Sequence, residues 1–196
     1  MTTLEDIDRE IRRLTGENDL CRPFLCPGSP IGCEVAEVGI NPGTDTPFWP
    51  YWNVQSGCDK EGWLSDYLQR HGGLNPTRDR IEVLARNLAP LRLLELNLYH
   101  HYSPDLNSLG REHRDTELFD YMLEIANPRI LVVHGDKPAK HLECLLGVSL
   151  PKTQFTPAAY RGKLVDVYRA IRHFKSVSRN YIASIADEIK KRLGAM

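Results

Sequence analysis

The chain has 196 residues, of which 41% are hydrophobic and 26% charged, with a formal net charge of −1. That balance describes an ordinary globular domain able to bury a core without disulfide or metal staples, and it speaks against a global electrostatic pull toward nucleic acid or an anionic membrane. No apolar run approaches the roughly 18 residues of a membrane span, the acidic and polar N-terminus does not read as a signal peptide, and an odd count of five cysteines fits a reducing, cytoplasmic compartment.

In chain order, Thr3 caps a first helix whose apolar face is Leu4, Ile7, Ile11 and Leu14, ending at Gly16. Residues 17 to 34 are loop-like, rich in proline and glycine. Val35 to Ile40 reads as a short buried strand. A helix is expected over Glu61 to His71 and another from Pro76 through Leu88. Leu93 to Tyr99 is a second strand, its apolar pattern interrupted by Glu95 and Asn97. Thr116 to Ala126 is helical by periodicity. Arg129 to His134 is the clearest strand, followed by a helix through Leu142 and Leu146, and Leu164 to Ile171 is a fourth strand. An amphipathic helix through Tyr181, Ile185, Ile189 and Leu193 closes the chain.

Apolar strands alternating with helices predict one three-layer α/β/α sandwich around a central, mainly parallel four-stranded sheet. Residues 1–32 form an N-terminal helix and loop, residues 33–193 the core, and no linker divides 1–196. Cys21, Cys26, Cys33 and Cys58 are close in sequence but irregularly spaced, without a Cys-x-x-Cys pair. Free thiols and no metal are the expectation. Charge is uneven: from Lys152 onward ten Lys and Arg face three Asp and Glu, which suits either solvated helix faces or phosphate contacts.

Ligands of open parallel sheets bind beyond the carboxyl ends of the strands. Four polar clusters are expected there: Asn41-Pro42-Gly43; Asn97 with His100, His101 and Tyr102; His134-Gly135-Asp136; and His173 through Ser178. Each has a plain alternative. Asn-Pro-Gly is a turn signal in its own right, Asn97 could cap backbone groups at a strand end, and a strand-end histidine is commonly a satisfied polar residue. No phosphate loop, HExxH helix, GxSxG elbow or dinucleotide fingerprint is present.

In their order these clusters resemble the uracil-DNA glycosylase superfamily. "VGINPG" is similar to the first motif of its mismatch-specific uracil and thymine branches, "LLELNLYH" to the strand whose asparagine reads uracil, "RILVVHGDKPAKHL" to the strand and helix that follow, and "RHFKSVS" stands in the place of the second motif before the last helix. The similarity spans roughly residues 33 to 193. It implies a monofunctional glycosylase that hydrolyses the N-glycosidic bond of uracil or another deaminated base in DNA, as a monomer without metal or other cofactor.

The resemblance also implies roles. Asn41 holds the attacking water, and an amide orients water without taking its proton. Gly39 and Ile40 line the base site, and Asn97 offers its NH2 to O4 and its carbonyl to N3–H of uracil. His173 donates to O2 as negative charge develops there. Gly43 leaves room where uracil-specific members carry a bulky tyrosine. Phe48 is the expected stacking ring, with Trp49 and Tyr51 as alternatives, and Asp45 is an alternative partner for the water. His173 and Ser178 keep the second motif's spacing, while Lys175 and Arg179 are expected to contact DNA phosphates. The motif's prolines are absent, and the aromatic loop after Gly43 is short. Two other readings stand beside this one: a nucleic-acid-binding protein with a vestigial pocket, and an N-glycosidase acting on free nucleosides or nucleotides.

Overall fold

The four expected strands all form, and a fifth joins them; the computed structural model describes residues 2–195. Strand β1 (Val35–Gly39) is buried at every position. It pairs in parallel with β4 (Leu93–Asn97) on one side and with β5 (Ile130–Val133) on the other. β7 (Lys163–Arg169) continues the sheet in parallel beside β5, and β6 (Phe155–Tyr160) closes it antiparallel to β7. The order is therefore β4-β1-β5-β7-β6, and a separate two-stranded ribbon joins β2 (Trp52–Asn53) to β3 (Gly57–Cys58). The fold is α/β with a mostly parallel central sheet of five strands, one more than the sequence pattern gives. The additional strand, "FTPAAY", escapes that pattern because it is a half-exposed edge carrying Pro157, a residue that edge strands accept. Its hairpin turns at Arg161 and Gly162, both with positive φ.

Helices cover both faces. Val35, Leu93, Ile130 and Val132 pack on Ile81, Leu84 and Leu88 of α3 (Pro76–Leu88), and on Ile182, Ile185 and Ile189 of α6 (Arg179–Leu193). The alternate residues Ala36, Val38, Leu94, Leu96, Leu131 and Val133 face α1 (Leu4–Thr15), α4 (Glu117–Ala126) and α5 (Asp136–Leu146), with α2 (Lys60–His71) adding Trp63 and Tyr67 to the same cluster. Side chains alternate across a strand, so one period decides which helices each residue meets. Local signals fix the helix starts. Thr3 and Asp6 form a reciprocal capping box, and Asn75 caps α3 with Pro76 at its first position. No helix among the described residues is long and apolar enough to cross a membrane.

The aromatic loop after β1 turns inward. Phe48 is fully buried, stacked on Trp52 at 5.9 Å and edge-on to Phe24 at 5.1 Å. Trp52 is anchored in turn by its Nε1–H, which donates to Asp8 at 2.8 Å. The expectation that Phe48 stacks on a ligand is therefore corrected: its ring has core neighbours on both sides. Replacing Phe48 with leucine is expected to cost about 1–2 kcal/mol of stability, read by urea unfolding.

Candidate active site

One cavity of about 430 Å³ opens at the carboxyl ends of β1, β4 and β5, where a parallel sheet is expected to bind its ligand and within the volume range of small-molecule sites. The end of β1 and the turn after it contribute Gly39, Ile40, Asn41 and Gly43; β4 contributes Asn97; the segment after β7 contributes His173 and Lys175. These are seven of the sequence-derived site residues, drawn from three distant parts of the chain.

Asn41 is half-buried. Its amide NH2 donates to the Ser103 carbonyl at 2.7 Å and to its own neighbour Pro42 at 3.0 Å. Both donors are thus spent on the backbone, which leaves the amide oxygen as the group able to accept from a water or ligand. Gly39 explains itself by crowding rather than by backbone angle. A Cβ there would stand 3.0 Å from Asn97 Oδ1, 3.5 Å from Glu37 Oε1 and 3.6 Å from His134 Nε2. Those three polar groups converge on one glycine, and any side chain would press on them. A Cβ on the exposed Gly43, by contrast, would meet nothing within 4 Å.

His173 caps a short 3-10 turn, Phe174–Ser176, its Nδ1 accepting from the Lys175 backbone N–H at 3.3 Å. An accepting Nδ1 puts the proton of the neutral ring on Nε2. Burial first, then the neighbouring His134 and Lys175, push its pKa down to about 4. The ring is therefore a neutral N–H donor at pH 7. Lys175 is exposed at the cavity rim.

Several site groups escape motif reading. Glu37, 2% exposed in the middle of β1, lines the cavity and is held by His134 Nε2 at 2.5 Å. His134 lies flat on Phe174 at 4.2 Å and edge-on to His173 at 4.5 Å, and its Nδ1 is buried without a partner. Behind them Glu95 accepts from Arg78 at 2.5 Å and sits 2.7 Å from Lys60 Nζ, both cations also reaching Glu82. Burial alone would raise the Glu95 carboxyl, but Arg78 and Lys60 outweigh it and hold it down to about 2. Arg22 and Tyr67 complete the wall, and Tyr67 is the one phenyl or indole ring that lines it among the described residues. The available signal was a charge inside an apolar strand: Glu37 in "VAEVG" and Glu95 in "LLELN" each break a run that should be buried on both faces.

Other expectations move. Ser178 does not line the cavity; it is the N-cap of α6, its Oγ accepting from the Tyr181 N–H at 3.1 Å. Arg179 grips Asp79 of α3 with two hydrogen bonds, at 2.9 and 2.5 Å, and so ties α6 to α3. Its side chain stays 67% exposed in that pair. Asp45, Trp49 and Tyr51 also lie outside the cavity wall. Cys21, Cys26, Cys33 and Cys58 are buried free thiols, and Cys144 is an exposed one. Compared with models of known protein families and with curated protein sequences, the chain matches none, so a functional reading rests on the chemistry of this cavity.

Proposed function

We propose that the protein is a cytoplasmic, monofunctional N-glycosylase that hydrolyses the bond between uracil, or another deaminated base, and its deoxyribose in DNA. What supports the reading above all is the convergence of Asn41, Asn97 and His173 on one cavity at the strand ends. The five free cysteines suit a reducing compartment.

Base release needs an anion stabilised on the leaving ring and water delivered to the sugar, whose transition state is cation-like. Asn97 reads the O4 and N3–H edge of the base. The neutral Nε2–H of His173 donates to O2 as charge gathers on the ring. Asn41, through its free amide oxygen, orients the attacking water. Glu37, adjacent to the Gly39 turn and polarised by His134 at 2.5 Å, provides the negative charge that Asn41 lacks. Tyr67 contributes to the wall from the core, packed against Trp63 and His71. Flipping a base out of a duplex delivers it to such a pocket, and the open space at Gly43 admits a substituent at C5 of the ring.

A gel assay on oligonucleotides containing uracil, hypoxanthine or xanthine, developed with alkali, tests the proposal. Alkali-dependent cleavage of uracil-containing strands, abolished by Asn41→Ala, is the expected result. Absence of cleavage of single- and double-stranded substrates at high enzyme, with DNA affinity that survives Asn41→Ala, would leave only a binding protein and sink the reading.

A further inference from the structure

Among the described residues, Arg22 is a buried cation of the cavity wall whose side chain makes no hydrogen bond or ion pair. It is 7% exposed, lines the cavity, and its Nε is buried without a partner. Its guanidinium lies over the Trp63 ring at 5.3 Å, while Arg78 lies over the same ring at 5.1 Å. The neighbouring acids are already committed: Glu37 to His134, and Glu95 to Arg78 and Lys60. Among the described residues neither acid reaches Arg22 within ion-pairing distance. Burial, then the repulsion of Arg78, lowers its pKa to about 10, which still leaves a cation at neutral pH. Buried cations are kept where something pairs with them.

A second feature of the same wall points the same way. The start of α3 lines the cavity through Asn75, Pro76 and Thr77. Pro76 has no N–H, and the Arg78 N–H is taken by the Asn75 side chain at 2.9 Å. The Thr77 N–H is therefore the open donor of the first turn, at the positive end of a 13-residue helix. Helix starts of this kind bind oxyanions, and a planar guanidinium matches their geometry with paired donors.

We propose that Arg22 and the first turn of α3 form an oxyanion subsite that holds a phosphate of the substrate nucleotide. The subsite flanks Asn97 on the β4 side of the cavity, while His134 and His173 stand on the β5 side. A base against Asn97 thus leaves its phosphate to be taken up on the Arg22 side. That the ligand is a nucleotide rests on the base-release reading; the oxyanion subsite itself does not.

Calorimetric titration separates the possibilities, with inorganic phosphate, deoxyuridine, deoxyuridine 5′-monophosphate and a uracil-containing oligonucleotide as probes at constant ionic strength. Wild-type protein is expected to bind inorganic phosphate, and Arg22→Gln to bind it about 10- to 100-fold more weakly, the span that loss of a charged hydrogen bond gives. Arg22→Lys, which keeps the charge without the fork, falls between them. If the phosphate belongs to a free nucleotide, the monophosphate binds at least roughly tenfold tighter than the nucleoside and oligonucleotide affinity ignores Arg22. If it belongs to a strand, Arg22→Gln weakens the oligonucleotide as well. Because the Arg22 side chain makes no hydrogen bond or ion pair among the described residues and its burial as a cation is costly, the ligand-free Arg22→Gln protein should melt within a few degrees of wild type, the Trp63 contact being the interaction lost. A wild type indifferent to phosphate, or phosphate affinity unchanged in both variants, overturns the subsite whatever the alkali assay shows. Phosphate binding that depends on Arg22 in a protein that releases no base keeps the subsite and removes the glycosylase.

Discussion

Truncating Glu95 to alanine is expected to lower the unfolding free energy by about 3–5 kcal/mol, the cost of breaking a buried ion pair from one side. Glu95 is 2% exposed and neutralises two cations that are almost as deeply buried, Arg78 at 4% and Lys60 at 8%. Without it, Arg22, Arg78 and Lys60 would crowd one apolar region around Trp63, with Glu82 left to serve both Arg78 and Lys60. Urea unfolding reads the loss as a shift in midpoint at constant slope. A cost under about 1 kcal/mol would mean that water, rather than Glu95, satisfies the two cations.

The pH dependence follows with a definite sign. Glu95 ionises at about 2 in the folded chain against an ordinary value of 4.5. A depressed carboxyl contributes stability that is complete above its unfolded pKa and is lost as pH falls through the folded one. Acid therefore weakens the wild type through the window from about 4.5 to about 2, and Glu95→Ala lacks that limb. The same pair sets the cavity's shape. Arg78 is the third residue of α3, so the bond to Glu95 fixes where the first turn of that helix, with its open Thr77 N–H, stands against the strand ends.

How legible this was from sequence differs by kind of signal. Period-2 and period-3.6 patterns carry burial, so β1, β4, β5 and the helices α1, α2, α3 and α4 could be read within a residue or two of their ends, and α5 and α6 by their apolar faces. The β6 edge could not, because a half-exposed strand with a proline has no apolar run to read. At the site, order along the chain was enough to bring Asn41, Asn97 and His173 together, since each ends or follows a parallel strand and the fold puts those ends side by side. Phe48 was misplaced for a reason of physical chemistry. An aromatic ring near a turn is equally suited to stacking on a ligand and to filling a core, and only three-dimensional neighbours such as Phe24 and Trp52 decide. Ser178 and Arg179 satisfy a helix cap and an ion pair, roles that depend on Tyr181 and Asp79. Arg22 carries no signal in its loop "LCRPFLC"; it becomes conspicuous only when the acids around it are seen to be paired with other groups.

Replacing His173 with alanine is expected to cut base release by about 10²–10³-fold, the usual worth of one positioned donor to a developing oxyanion, with the fold retained because the ring is only half-buried at the cavity edge. The donor must be the neutral ring. With Nδ1 accepting from Lys175 N–H, Nε2 is the ring nitrogen that carries the proton, and burial with His134 and Lys175 holds the pKa at about 4. Followed by NMR, the ring should titrate near 4 and stay silent through the ordinary histidine range around 6.5. Since protonation is easier in the unfolded chain than in the folded one, the neutral ring's contribution to stability is complete above about 6.5 and is lost as pH falls toward 4. His173→Asn, which can still present an N–H, should recover part of the turnover while abolishing that titration. Turnover of His173→Ala within about threefold of wild type would remove His173 from the chemistry and leave its role as the cap of the 174–176 turn, since a positioned oxyanion donor is worth far more than that.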